Sequence, residues 1–192
     1  DITVFAQWDA NTYKITYKYV DFETGDEKED TIEVEYGKAY TIASPYSNEN
    51  GMTFHGWYSE ENGQGIQYTD ELGNSISNWG GLTDIVVYAN VKEAFKYDLI
   101  TTASGQEAYS ISAGTNFTQF SEITVPVMYK GKPVAWIDSG AFANYVNLKK
   151  INIPENVKTL GQYAFAATRL EEINFPENSQ LKTIGYRAFY NC

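Results

Sequence analysis

The chain is poor in the residues that most enzymatic and metal chemistry needs. Among its 192 residues there is one histidine, His55, and one cysteine, Cys192. One cysteine excludes any intrachain disulfide framework, and no metal-ligand spacing surrounds it. One histidine leaves a single candidate base for a Ser-His-Asp or Cys-His arrangement, and no Gly-x-Ser-x-Gly elbow accompanies it. His55 therefore reads as a packing or surface residue, and Cys192 as a buried or terminal thiol. Lys and Arg number 14 against 25 Asp and Glu, a net charge of −11. The clustered cations that phosphate binding requires are missing, which argues against nucleic acid. No apolar run approaches the ~20 residues that cross a membrane. The chain opens directly inside a strand and reads as an excised piece of something longer. No cofactor is expected.

The acids that are present form no ready dyad. Glu60-Glu61 and Glu171-Glu172 are adjacent in sequence, and neighbours in an extended strand point to opposite faces. The acidic stretch 21–30 lacks the ordered Asp-x-Asp-x-Asp-Gly spacing of a calcium loop and reads as a solvated hairpin turning near Gly25. The expectation is a non-enzymatic chain.

Aromatics make up 16% of the residues, led by 16 tyrosines, and helix-period patterns are nearly absent. That is the composition of a mostly β chain of short strands. Charge divides it: residues 1–93 hold 17 acids and 5 bases, net −12, whereas 94–192 hold 8 acids and 9 bases, net +1. Two domains follow as the better reading.

The last third repeats one phrase. Ala-Phe pairs recur at Phe142, Phe165 and Phe189, spaced by 23 and 24 residues. Between them Leu148-x-x-Ile151-x-Ile153-Pro154 returns as Leu170-x-x-Ile173-x-Phe175-Pro176, and a diverged earlier copy runs from Phe120 to Pro126. A period in the low twenties with this internal alternation predicts a leucine-rich-repeat solenoid. Each unit supplies a short strand with apolar residues at alternate positions, so that Ile151 and Ile153 share one face with Leu148 at the entry; proline ends the strand, and stacked neighbours complete a core that no unit buries alone. Aligning the copies places Glu122, Lys150 and Glu172 in one outward row and Thr124, Asn152 and Asn174 in the next. These six residues are the candidate ligand-binding face. The acid-base-acid order also suits register, since it favours one stacking of the strands.

The pattern Ile-Pro-x-x-Val-x-x-Ile-Gly-x-x-Ala-Phe-x-x-Cys resembles BspA-type leucine-rich repeats. It appears here as Ile153-Pro154, Val157, Leu160-Gly161, Ala164-Phe165 and Thr168, and again as Phe175-Pro176, Leu181, Ile184-Gly185, Ala188-Phe189 and Cys192. The position of the family's cysteine holds Tyr145 and Thr168 in the earlier copies. The resemblance covers 94–192, with 94–119 expected as an N-terminal β cap built on a hairpin around Ser104-Gly105, and 120–192 as repeats truncated at the C-terminus. Because the chain stops where the next strand would begin, an exposed apolar end or a contact is expected near Ile184 and Phe189.

The first half has its own order. Tyr13, Ile15, Tyr17 and Tyr19 alternate with polar residues, and Ile32, Val34 and Tyr36 do the same, so each stretch predicts a strand buried on one face. Then follow Tyr36-Gly37-Lys38, Phe54-His55-Gly56-Trp57-Tyr58 and a closing strand at 85–91. This sequence of phrases is similar to the internalin B-repeat, which implies a small β-grasp-like module over 10–93. Residues 1–9 echo 84–91 and read as the last strand of a preceding repeat.

The two resemblances imply a bacterial cell-surface or secreted protein, found outside the cell, that binds a host matrix protein, a cell-surface protein or a glycan. The alternatives are a passive stalk, or an accessory module of a secreted carbohydrate-active enzyme.

Overall fold

The computed structural model describes residues 10–46 and 51–192. The expected strand at 1–9 lies outside the described residues. Contacts divide the described chain into two units: 10–19, 28–45 and 54–91 form one, and 20–27, 46, 51–53 and 92–192 form the other.

The first unit is a four-stranded sheet. Its strands are β1 (Thr12–Val20), β2 (Glu27–Glu35), β3 (Met52–Tyr58) and β4 (Ile85–Glu93), in the spatial order β2-β1-β4-β3. The central pair, β1 and β4, runs parallel with Ile15 opposite Ile85 and Tyr17 opposite Val87. The alternation read from Tyr13 to Tyr19 has its cause here: Ile15 and Val87 are fully buried, while Lys14 and Lys18 face water. Trp57 anchors the unit, with its indole N–H donating to the Ile42 carbonyl at 2.9 Å and Tyr17 and Phe54 edge-on at 5.2 and 5.4 Å. Gly56 beside it has φ 108°, and a Cβ there would sit 2.3 Å from the Thr69 carbonyl oxygen. The glycine is needed for that backbone approach rather than to make room for the indole.

One inward expectation fails. Tyr36 is 51% exposed, because β2 ends at Glu35 and the chain turns at Gly37, φ 80°. Alternation stops where the ladder stops. The expected turn at Gly25 is present, closed by Asp21 and Asp26 backbone bonding, and the Asp21 carboxylate accepts the N–H groups of Glu23 and Thr24 at 3.0 and 3.1 Å.

The second unit opens with a hairpin, β5 (Phe95–Thr101) and β6 (Glu107–Ala113), antiparallel and turning at Gly105 as the Ser104-Gly105 pair predicts. Next come β7 (Glu122–Thr124), β8 (Met128–Tyr129), β9 (Lys132–Ile137), β10 (Lys150–Asn152), β11 (Thr159–Leu160), β12 (Glu172–Asn174) and β13 (Thr183–Ile184). These arrange as two parallel ladders. One is β12-β10-β7; the other is β13-β11-β9, continued by β6 and β5. Each repeat therefore gives one short strand to each ladder. Proline soon follows the strands of the first ladder, at Pro126, Pro154 and Pro176, where the missing N–H stops further pairing.

The core lies between the ladders. Ile123, Ile151, Ile111, Ile137 and Leu160 point into it, and the Ala-Phe pairs fill its third side. Phe117, Phe142, Phe165 and Phe189 form a column with ring centroids 4.7, 5.4 and 5.3 Å apart. The Ala-Phe segments also bond coil to coil: the N–H groups of Gly140, Phe142 and Asn144 donate to the carbonyls of Gln162, Ala164 and Ala166. Tyr163, Phe165 and Ala167 repeat this onto Tyr186, Ala188 and Tyr190. A positive φ at Gly140, Tyr163 and Arg187, and again at Asn144, Ala167 and Asn191, turns every second N–H the same way. In the last coil Ile184 is 57% exposed and Phe189 half-buried against Phe165.

Candidate functional site

The first ladder brings all six candidate residues together. Strands of three residues present two side chains outward and one inward, so Ile123 and Ile151 are buried while their neighbours face solvent. Parallel register then aligns the rows. Lys150 stands opposite Glu122 on one side and Glu172 on the other, and Asn152 stands between Thr124 and Asn174. Lys150 Nζ reaches Glu122 Oε1 at 3.0 Å and Glu172 Oε1 at 3.6 Å.

The amide row is wired as well. Asn152 Nδ2 donates to Thr124 Oγ1 at 3.0 Å, and Asn174 Nδ2 donates to Asn152 Oδ1 at 3.0 Å and to Glu172 Oε1 at 2.7 Å. These contacts set the electrostatics. The hydrogen bond to Glu122 raises the Lys150 ammonium above its ordinary value, with Glu122 and Glu172 charges adding to it. The Asn174 amide, followed by Lys150, lowers the Glu172 carboxyl. The row is an acid-base-acid strip beside a strip of amides and one hydroxyl. Such a surface offers hydrogen-bond donors and acceptors in two parallel rows.

Sequence reasoning missed the neighbouring pair Lys149–Glu171 at 3.4 Å, which extends the charged strip by one row. Equal spacing in the two copies, 149 to 171, carried that signal. It also missed a cleft of about 410 Å³ beside the first coil, lined by Phe117, Phe120, Tyr145 and Val146 among others. That cleft depends on a 3-10 turn at Phe117–Gln119, which no repeat pattern marks.

The residues set aside as non-catalytic are placed as follows. His55 Nδ1 lies 3.2 Å from Glu71 Oε1 in the first unit. The Cys192 thiol donates to the Phe165 carbonyl at 3.2 Å, where Thr168 Oγ1 also donates at 2.9 Å. Successive coils thus put a hydroxyl and a thiol at one carbonyl, Thr168 from its own coil and Cys192 from the next. Among the described residues no group of three or more His, Cys, Asp and Glu converges to hold a metal ion.

Stacked coils with an Ala-Phe column, two parallel ladders and prolines closing the first define a leucine-rich repeat module. Residues 89–192, more than half of the chain, match the family described as the BspA type leucine rich repeat region (6 copies). The chain belongs to that family, whose repeats serve as protein-recognition modules. Two curated relatives from Evansella cellulosilytica are similar to part of it. A putative membrane protein is 35% identical over 69 residues, 35% of this chain and 10% of the relative. A putative Gly-rich membrane protein is 35% identical over 60 residues, 31% of this chain and 6% of the relative. The chain therefore spans a tenth or less of the length of the curated relatives it matches. A solved leucine-rich repeat protein of T. pallidum (TpLRR) is 27% identical with a TM-score of 0.43, over 52% of this chain and 44% of its own. No helix among the described residues is long and apolar enough to cross a membrane.

Proposed function

We propose that this chain is a non-enzymatic part of a bacterial cell-surface or secreted protein, in which the strand face of the repeats mediates adhesion. It consists of an acidic internalin B-repeat-like module over 10–93 and a BspA-type repeat domain over 94–192. Its partner is a host matrix protein, a cell-surface protein or a glycan, and the contact residues are Glu122, Thr124, Lys150, Asn152, Glu172 and Asn174. The observation that supports this reading is the common register of three strands, which sets six polar side chains outward over an isoleucine row buried at Ile123 and Ile151. Such a face is pre-ordered, so a partner meets side chains that have already lost much of their freedom. The mixed sheet with a parallel central pair supports the β-grasp-like reading of the first module.

A passive stalk is the second reading, favoured by one feature of the same row. Lys150 is held by two carboxylates, and the amides donate to one another, so the face satisfies much of its own bonding. A binding screen over immobilised matrix proteins and glycans separates the two. The comparison is the natural chain against a Lys150→Glu, Asn152→Ala, Asn174→Ala variant with an unchanged unfolding transition. Binding lost in the variant supports recognition by this face. A chain that binds nothing in either form supports the stalk.

A further inference from the structure

The second ladder has an outward face of its own, with one residue that does not fit a solvated surface. Across β5, β6, β9, β11 and β13 the register aligns Asp98, Ser110, Trp136, Thr159 and Thr183. Adjacent strands stand about 4.8 Å apart, so this row is a strip of polar side chains with a single indole at its centre. Trp136 is half-buried and takes no part in the apolar core.

A bulge puts it there. Tyr109 pairs with Val134 and Ser110 with Trp136, which leaves Ala135 as an extra residue in β9. Val134 and Ile137 both point into the core across this irregularity. Strict alternation from Val134 would send Ala135 outward and Trp136 inward. The inserted residue reverses that, and bulges recur where a strand must re-aim a side chain.

The groups around the indole are polar and already ordered. The Ser110 hydroxyl, buried at 2% exposure, bonds the Asp138 carboxylate and lies 3.5 Å from the Asp98 carbonyl. Lys96 Nζ sits 2.6 Å from Asp98 Oδ2. Burial raises the Asp138 carboxyl above its ordinary value, opposed by that Ser110 bond. An apolar protein anchor laid on Trp136 would strip water from Asp98 and Asp138 without replacing their hydrogen bonds, a costly exchange. A cationic ligand would meet Lys96, which already occupies the Asp98 carboxylate. A pyranose has the matching shape: an apolar C–H face for the indole and a rim of hydroxyls for the carboxylates and the Thr159 hydroxyl.

We infer that Trp136 is the stacking platform of a saccharide-binding site on the second ladder, flanked by Asp98, Asp138 and Thr159 and fitted to a β-linked, gluco-configured chain. All-equatorial hydroxyls leave both ring faces apolar, which suits stacking on the planar indole. This site lies on a different ladder from Lys150, Asn152 and Asn174, and does not rest on their binding role.

The test is calorimetric titration of the whole chain with cellohexaose and chitohexaose. The natural chain binds at least one of them. Trp136→Ala weakens that binding by at least about tenfold, Trp136→Phe retains most of it, and Asp138→Asn weakens it several-fold. Two outcomes overturn the assignment: the natural chain binds neither oligosaccharide, or folded Trp136→Ala binds as well as the natural chain. Should Trp136→Ala fail to fold, Trp136→Phe and Asp138→Asn decide the matter, and undiminished affinity in Asp138→Asn then overturns it.

Discussion

Lys150 Nζ lies 3.0 Å from Glu122 Oε1 on one neighbouring strand and 3.6 Å from Glu172 Oε1 on the other, so one cation ties three successive repeats. Its contribution has a definite pH window. The Glu122 hydrogen bond raises Lys150 above 10.5, so its share of stability is complete below pH 10.5 and fades as pH rises through the folded value. The Asn174 amide, then Lys150, hold Glu172 below 4.5, so its share is complete above that pH and fades as pH falls through the folded value. Lys150→Met should lower the urea midpoint between about pH 5 and 10 and matter progressively less outside that window. The groups are solvent-exposed, so about 0.5 M salt should shrink the difference. A midpoint indifferent to both pH and salt would show the strip to be electrostatically idle.

The phenylalanine column is where stacking becomes burial. Phe165 is fully buried, with Phe142 5.4 Å away on one side and Phe189 5.3 Å away on the other. Phe165→Ala removes a ring from both interfaces and leaves a cavity, a loss of about 3–5 kcal/mol. Chemical denaturation should show it as a large drop in midpoint. Leu160→Val, nearby in the same core, should cost far less.

Much of this was legible beforehand because the repeat period forces it. Once Ile123, Ile151 and Ile173 are aligned on their prolines, parallel pairing leaves no other partner for Lys150 than Glu122 and Glu172. The second ladder was not legible. Its strands β11 and β13 have two residues each, too short for alternation to register. Trp136 was hidden for another reason: a one-residue bulge at Ala135 reverses the face that alternation assigns, and nothing local marks it. Tyr36 shows the same weakness at a strand end, where the pattern continues one residue past the last ladder bond. Positive φ at Tyr163, Ala167 and Arg187 was equally hidden, since these residue types seldom adopt it and only coil-to-coil bonding imposes it.

Ala167 tests that imposed conformation. Its φ is 56°, and its N–H donates to the Tyr190 carbonyl at 2.8 Å. A left-handed alanine costs about 1–2 kcal/mol, whereas glycine loses about 0.5–1 kcal/mol of backbone freedom. Ala167→Gly should therefore stabilise the chain by up to about 1 kcal/mol, and Ala167→Val should destabilise it. Thermal unfolding of the two variants should bracket the natural chain; glycine on the destabilised side would refute the strain argument.

Gly161 is required by distance rather than by dihedral angle. A Cβ there would lie 2.4 Å from the Ser139 nitrogen and 2.5 Å from the Asp138 carbonyl carbon, and one at Gly185 would lie 2.5 Å from the Gln162 nitrogen. Those are backbone atoms of the preceding coil and have little freedom to yield. Gly161 N–H donates to the Ile137 carbonyl at 2.8 Å, and Gly140 N–H returns to Gln162 at 2.8 Å, so the two coils are bonded on both sides of the contact. Gly161→Ala must then stretch these bonds or displace a coil, a loss of about 1–3 kcal/mol or more. Gly140 supplies the control, because a Cβ there meets nothing within 4 Å and only its φ of 67° resists alanine, about 1–2 kcal/mol. Denaturation of the two variants side by side should place Gly161→Ala below Gly140→Ala. The opposite order would mean that coil contact at Asp138 and Ser139 does not limit how closely the repeats stack.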